Sequence, residues 1–94
     1  MAEKKALRVN IEGRVQGVNF RMATFHQAEK LGVHGWVMNK PDGSVAACFE
    51  GDADKVDEMV KWCWKGPPAA SVTNVTVSEE AAAGRYSDFT VRYT

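Results

Sequence analysis

This sequence predicts an α+β sandwich in which an antiparallel sheet of four to five strands carries two helices on one face. Three observations carry that expectation. Apolar and polar residues alternate in every strand-like segment, and two longer segments repeat apolar residues at helical spacing. The two kinds follow one another as β-α-β-β-α-β, with a further short strand at the end. Alternation leaves each strand one face for a core and one for solvent, as in an antiparallel sheet; strands of a parallel sheet read as unbroken apolar runs.

The first strand covers residues 6–12, with Leu7, Val9 and Ile11 on one face and Arg8, Asn10 and Glu12 on the other. Gly13 and Gly17 then break the pattern. Beyond them Met22, Phe25, Ala28 and Leu31 recur at three-residue spacing in a stretch without Pro or Gly. Gly32 follows where a helix commonly ends on a left-handed residue. Residues 34–40 read as a second strand and 43–50 as a third, joined through Pro41-Asp42-Gly43. Proline presets φ, aspartate bonds back into the turn and glycine accepts positive φ, so the two strands form a hairpin. Gly51-Asp52 opens a second helix: Asp52 is a suitable N-cap, and Ala53, Val56, Met59, Val60 and Cys63 mark its buried stripe. Gly66-Pro67-Pro68 stops it. Residues 71–78 alternate again, with Val75 and Val77 expected inward. A polar, alanine-rich loop leads to a last strand, where Phe89, Val91 and Tyr93 alternate with Thr90, Arg92 and Thr94. Order and layering together give the ferredoxin-like arrangement.

Ninety-four residues suffice for one domain, and 1–94 is read as one. At 45% hydrophobic and 26% charged residues, the chain belongs with globular proteins, not disordered or fibrous ones. Twelve basic residues balance twelve acidic ones. No general field is left to attract nucleic acid, so any anion must be captured by a local site. The N-terminal segment has charges but no apolar run behind them, and no stretch is long enough to span a membrane. With two cysteines the chain is not a disulfide scaffold, and a cytoplasmic location is expected.

Residues 13–21, Gly-Arg-Val-Gln-Gly-Val-Asn-Phe-Arg, carry the chemistry. A glycine-punctuated turn entering a helix leaves several backbone N–H groups without intrahelical partners, and the helix dipole adds positive potential there. Such a turn is a natural anion cradle. Arg21 adds a planar fork that matches phosphate or carboxylate oxygens. The plainer alternative is a turn that needs glycine for its backbone angles alone. Against it stands Arg21 itself, since a cation at a helix start opposes the dipole, a local conflict of the kind functional sites show. Asn39 has a plain reading as a turn-initiating residue. Gln16 and Asn19 are expected to brace the loop through side-chain to backbone bonds. His26 and His34 have no partners at metal-ligand spacing, so no metal site is expected. Cys63 reads as a core residue and Cys48 as pointing to the other side of the sheet, too far apart to bridge. Trp62 and Trp64 flank Cys63, so one of them must be partly exposed.

Gly13-Arg14-Val15-Gln16-Gly17-Val18-Asn19-Phe20-Arg21 resembles the acylphosphatase signature G-x-V-Q-G-V-x-[FY]-R. A second block of that family is similar to Gly35-Trp36-Val37-Met38-Asn39-Lys40-Pro41-Asp42-Gly43-Ser44-Val45, and Gly51 and Gly66-Pro67 also fit. Lys40 departs from the family, which often has an apolar residue there. The resemblance implies a small enzyme, without metal or cofactor, that hydrolyses the carboxyl–phosphate anhydride of a small-molecule acyl phosphate. By that analogy Arg21 holds the phosphate, the backbone N–H groups of Val15, Gln16, Gly17, Val18, Asn19 and Phe20 complete the cradle, and Asn39 orients the attacking water. No nucleic-acid or membrane partner is expected, and the chain should act as a monomer. The rival readings are a non-catalytic phosphate- or RNA-binding module on the same fold, a phosphate-binding domain of a larger carbamoyl-transfer protein, and an inactive relative. The first lacks paired outward aromatics, the second would be fused to other domains, and the third would not keep both Arg21 and Asn39.

Overall fold

The computed structural model describes residues 3–93. Its elements follow in the order β1(Lys4–Arg14), α1(Phe20–Leu31), β2(His34–Asn39), β3(Val45–Asp52), α2(Ala53–Lys65), β4(Ser71–Glu80) and β5(Phe89–Arg92). They form one five-stranded sheet in the order β4-β1-β3-β2-β5. β1 runs antiparallel to β3 and β4, and β2 antiparallel to β3, which is the expected ferredoxin-like sheet. β5 is the exception, for it pairs with β2 in parallel, so the complete sheet is mixed. The path of the chain explains this. β4 ends beside Ala6, and Ala6 in turn lies opposite Glu50, which pairs with the first residue of β2. Residues 81–88 cross at that end of the sheet, and β5 can then only set off alongside β2 in the same direction. Thr94, expected on its outward face, lies outside the described residues; Tyr93 follows the strand and is exposed.

The main core fills the space between the sheet and the helices. Leu7, Val9 and Ile11 of β1 meet Phe20, Ala28, Val56, Met59 and Cys63 from the helices, all buried. The inward stripe of α1 is Phe20, Thr24 and Ala28, spaced four apart. Met22 does not join it and is 38% exposed, because two residues advance the helix about 200° from Phe20. Thr24 is tolerated in the core because its hydroxyl donates to the carbonyl of Phe20 at 2.7 Å. In α2 the buried residues are Val56, Met59 and Cys63. Asp52 occupies the N-cap position, but its carboxylate makes no cap bond and pairs with Lys4 instead. Val77 faces the helical side opposite Val9 but lies on the edge strand β4, and it remains 41% exposed. Trp64 is the exposed member of the tryptophan pair, while Trp62 packs on Phe20 with ring centroids 5.5 Å apart.

The outer face of the sheet is less open than strand alternation predicts. Trp36, Ala46 and Cys48 form a second buried cluster there, joined by Met38 and Tyr86. The 81–88 crossing covers it: Trp36 Nε1 donates to the Tyr86 hydroxyl at 3.2 Å, and the Gly84 N–H donates to Glu50 at 2.7 Å. Arg8 and Arg92 stack on Trp36, their guanidinium carbons 5.1 and 4.6 Å from the ring centroid. As a result β3 is buried on both faces from Val45 to Glu50.

Candidate active site

The loop that joins β1 to α1 is made by close approach at one end and by buried anchors along its length. β1 shifts register against β4 between Glu12 and Gly13, where Gly13 adopts φ 123° and a Cβ would stand 2.2 Å from the carbonyl oxygen of Ser71. Only glycine fits there. Val15, Val18 and Phe20 then turn their side chains into the core. What these residues can offer a ligand is backbone, not side chain. Between the anchors Gly17 (φ 73°) and Asn19 (φ 67°) take the left-handed conformation, which turns the chain sharply into α1. Asn19 stands at the N-cap position but its side chain caps nothing, contrary to the bracing role expected of it.

The consequence is a set of unspent donors. The first backbone bond of α1 runs from the Ala23 N–H to the Asn19 carbonyl at 3.1 Å; among the described residues the N–H groups of 17–22 have no backbone acceptor. No acidic side chain stands in the first helical turn to compete for them. The site therefore combines several amide donors with the positive end of a twelve-residue helix.

Arg21 sits on that first turn. Its Nη1 donates to the carbonyl of Arg92 at 3.2 Å, and its guanidinium carbon lies 4.6 Å from the centroid of the Tyr93 ring. The end of β5 thus steadies the arginine by one hydrogen bond and one face contact. Sequence reasoning missed this support, since the parallel pairing of β5 with β2 leaves no local trace around Arg21.

Asn39 is the last residue of β2 and pairs with Val45 at the mouth of the hairpin. The turn beyond it is closed on itself. The Lys40 N–H donates to the Ser44 carbonyl at 2.8 Å and the Gly43 N–H to the Lys40 carbonyl at 3.1 Å. The Asp42 carboxylate accepts from the Ser44 N–H at 2.9 Å and from its hydroxyl at 2.6 Å, bonds that hold its carboxyl below the ordinary value of 3.8. Lys40 reaches back to Asn10, its ammonium donating to the side-chain oxygen at 3.3 Å.

Gln16 joins the two halves. Its side-chain amide donates to the carbonyls of Lys40 (2.7 Å) and Ser44 (2.9 Å), so the β1–α1 loop is fastened to the hairpin that carries Asn39. This is the bracing role its sequence position suggested, with a partner that only the fold supplies.

The remaining candidates lie elsewhere. Cys63 belongs to the main core and Cys48 to the outer cluster; both thiols are free, and burial pushes both above their ordinary range. His34 Nδ1 lies 3.2 Å from the Tyr86 carbonyl, at the other end of β2 from Asn39. Among the described residues no three His, Cys, Asp or Glu side chains gather as a metal site, and no helix is long and apolar enough to cross a membrane.

Two helices on a five-stranded sheet in this order define an α+β sandwich of the ferredoxin-like class, with open amide donors at the start of its first helix. The family model for acylphosphatase matches residues 7–91. An acylphosphatase of Rubrobacter xylanophilus is 56% identical over 90 residues, covering 96% of this chain and 82% of the relative. One of Pelotomaculum thermopropionicum is 48% identical across 90% of this chain and 92% of its own. The solved acylphosphatase of Coxiella burnetii superposes with a TM-score of 0.90 at 39% identity, over 95% of this chain and 93% of that one. The chain belongs to the acylphosphatase family and is an enzyme of the hydrolase class.

Proposed function

We propose that this protein hydrolyses the carboxyl–phosphate anhydride of acyl phosphates, releasing a carboxylate and inorganic phosphate. The observation that carries the reading is the set of unpaired N–H groups at the start of α1, beside Arg21 and fastened through Gln16 to the strand end that bears Asn39. In this reading the amides of 15–20 and the guanidinium of Arg21 hold the phosphoryl oxygens and take up charge as it develops on them.

The substrate's own chemistry explains why so little machinery suffices. A departing carboxylate is a weak base, so the reaction asks for no strong nucleophile and no metal. Holding the phosphoryl group in line with one water supplies most of what is needed. Asn39 can orient that water, since its side-chain oxygen accepts while its NH₂ donates. Having no titratable proton, it cannot act as a general base, and the bound phosphate takes the water's proton. A bell-shaped rate profile governed by a histidine-like group would contradict that assignment.

Residues 1–94 act in this reading as one domain, a cytoplasmic monomer with no nucleic-acid partner and no cofactor. The charge balance supports the absence of a nucleic-acid partner, and the outer face, which an RNA-binding relative would use, buries its one tryptophan beneath Tyr86. The test is hydrolysis of a simple acyl phosphate in the presence of EDTA by the wild type and by Arg21→Ala. Rapid turnover that disappears in the variant is the expected result. No turnover by folded wild type would leave a phosphate-binding module without catalysis.

A further inference from the structure

A cavity of about 380 Å³ lies beneath the 81–88 crossing, at the opposite end of the sheet from the β1–α1 loop. His34 and Glu50 both line it, directly opposite one another in the β2–β3 pairing. Ala82 and Gly84 belong to the crossing, and Gly32, the C-cap of α1, borders the cavity from the helix side. His34 begins the strand that Asn39 ends, and the length of α1, about 18 Å, separates Gly32 from the cradle.

Glu50 is the unusual member. It is only 8% exposed, yet among the described residues it forms no ion pair, although buried carboxylates ordinarily have a cationic partner. Oε2 accepts from the Gly84 N–H at 2.7 Å; Oε1 has no donor among the described residues and, not being sealed from solvent, opens on the cavity. The donors in the wall are already spent. Lys4 pairs with Asp52, and the His34 Nδ1–H donates to the Tyr86 carbonyl at 3.2 Å, which leaves Nε2 of the neutral ring as an acceptor. The carbonyl end of α1 adds negative potential. The cavity therefore has one uncompensated negative charge and several acceptors, the converse of the cradle at the other end of α1. Among the described residues no three His, Cys, Asp or Glu side chains gather as metal ligands, and the space is far larger than a bare ion needs. We propose that this cavity is a second ligand site, for a small organic cation with a primary ammonium group, whose counter-charge is Glu50. The three N–H donors of an ammonium suit the acceptors that Glu50, His34 and the helix end supply.

The experiment is a titration with n-butylammonium chloride followed through the backbone amide resonances, with n-butanol and sodium chloride as controls, on wild type, Glu50→Gln and Arg21→Ala. Butylammonium alone should give saturable shifts centred on residues 32–34, 50–52 and 82–86. Glu50→Gln keeps an acceptor for the Gly84 N–H and removes the charge, so binding should weaken at least about tenfold in a variant whose free spectrum shows it folded. Arg21→Ala should bind the amine as wild type does, since its charge lies at the other end of α1. Three results would each overturn the site: wild-type shifts that do not saturate, equal shifts from n-butanol or sodium chloride, or undiminished affinity in folded Glu50→Gln. The two wild-type controls decide the matter even if that variant fails to fold.

Discussion

Two loops meet at one end of this sheet, and they use their backbone donors in opposite ways. The hairpin at 40–44 spends its N–H groups on itself, with Lys40, Gly43 and Ser44 all donating within the turn. The β1–α1 loop spends none of the N–H groups of 17–22 on backbone acceptors, and is held instead by the buried side chains of Val15, Val18 and Phe20. A self-satisfied turn is a rigid frame but has nothing to offer an anion. A loop anchored through its side chains keeps its donors free and still has a fixed shape. Gln16 lets the second loop borrow the stiffness of the first.

The largest expected effect comes from removing the charge that completes the open loop. Arg21→Ala should lower kcat/KM by about 10²–10³-fold, by comparison with deleting one donor that faces a developing oxyanion. Arg21→Lys should recover little of this, because a point charge cannot reproduce the guanidinium fork. Steady-state assays of the two variants side by side measure both effects. Asn39→Ala should reduce kcat by about 10²-fold with much less change in the affinity for inorganic phosphate, since its proposed partner is the water. Loss of phosphate binding in that variant would show that the hairpin end belongs to the cradle itself.

Cutting the tie between the loops should act next. Gln16→Ala removes two hydrogen bonds, and should cost about 1–2 kcal/mol in urea denaturation and raise KM more than it lowers kcat. An unaltered KM would mean that the open loop keeps its shape without the hairpin.

The smallest effect concerns the frame. Asp42 ionises below its ordinary value because the folded turn supplies Ser44 as a donor. Its contribution to stability is therefore complete above the ordinary carboxylate value and drains away as pH falls through the lower, folded one. Asp42→Asn should be less stable than wild type near neutral pH and equal to it in strong acid. A gap that persists in acid would assign the effect to something other than that charge.

The sequence made legible whatever depends on near neighbours. The alternation around Val9 fixes which face of β1 is inward, Pro41-Asp42-Gly43 specifies the hairpin, and the spacing of Gly13 and Gly17 marks the open loop. What it concealed depends on contacts between distant segments. Trp36 is buried on the outer face only because residues 81–88 cross over it, and β5 is parallel only because that crossing begins where it does. Val77 follows the inward parity but lies on an edge strand, so parity predicts its direction and not its cover. A three-residue count from Met22 starts two positions late; Phe20, which the motif places in the loop, is the true origin of the α1 stripe. Asp52 has the residue type of a cap, yet Lys4, distant in sequence, claims its carboxylate.

The most direct measurement of the central contrast is a titration with inorganic phosphate followed through the backbone amide resonances. The amides of residues 15–20 should shift most, those of 40–44 should stay nearly still, and Arg21→Ala should abolish the response. Shifts centred on the hairpin, or a response at 15–20 that survives without Arg21, would contradict the account.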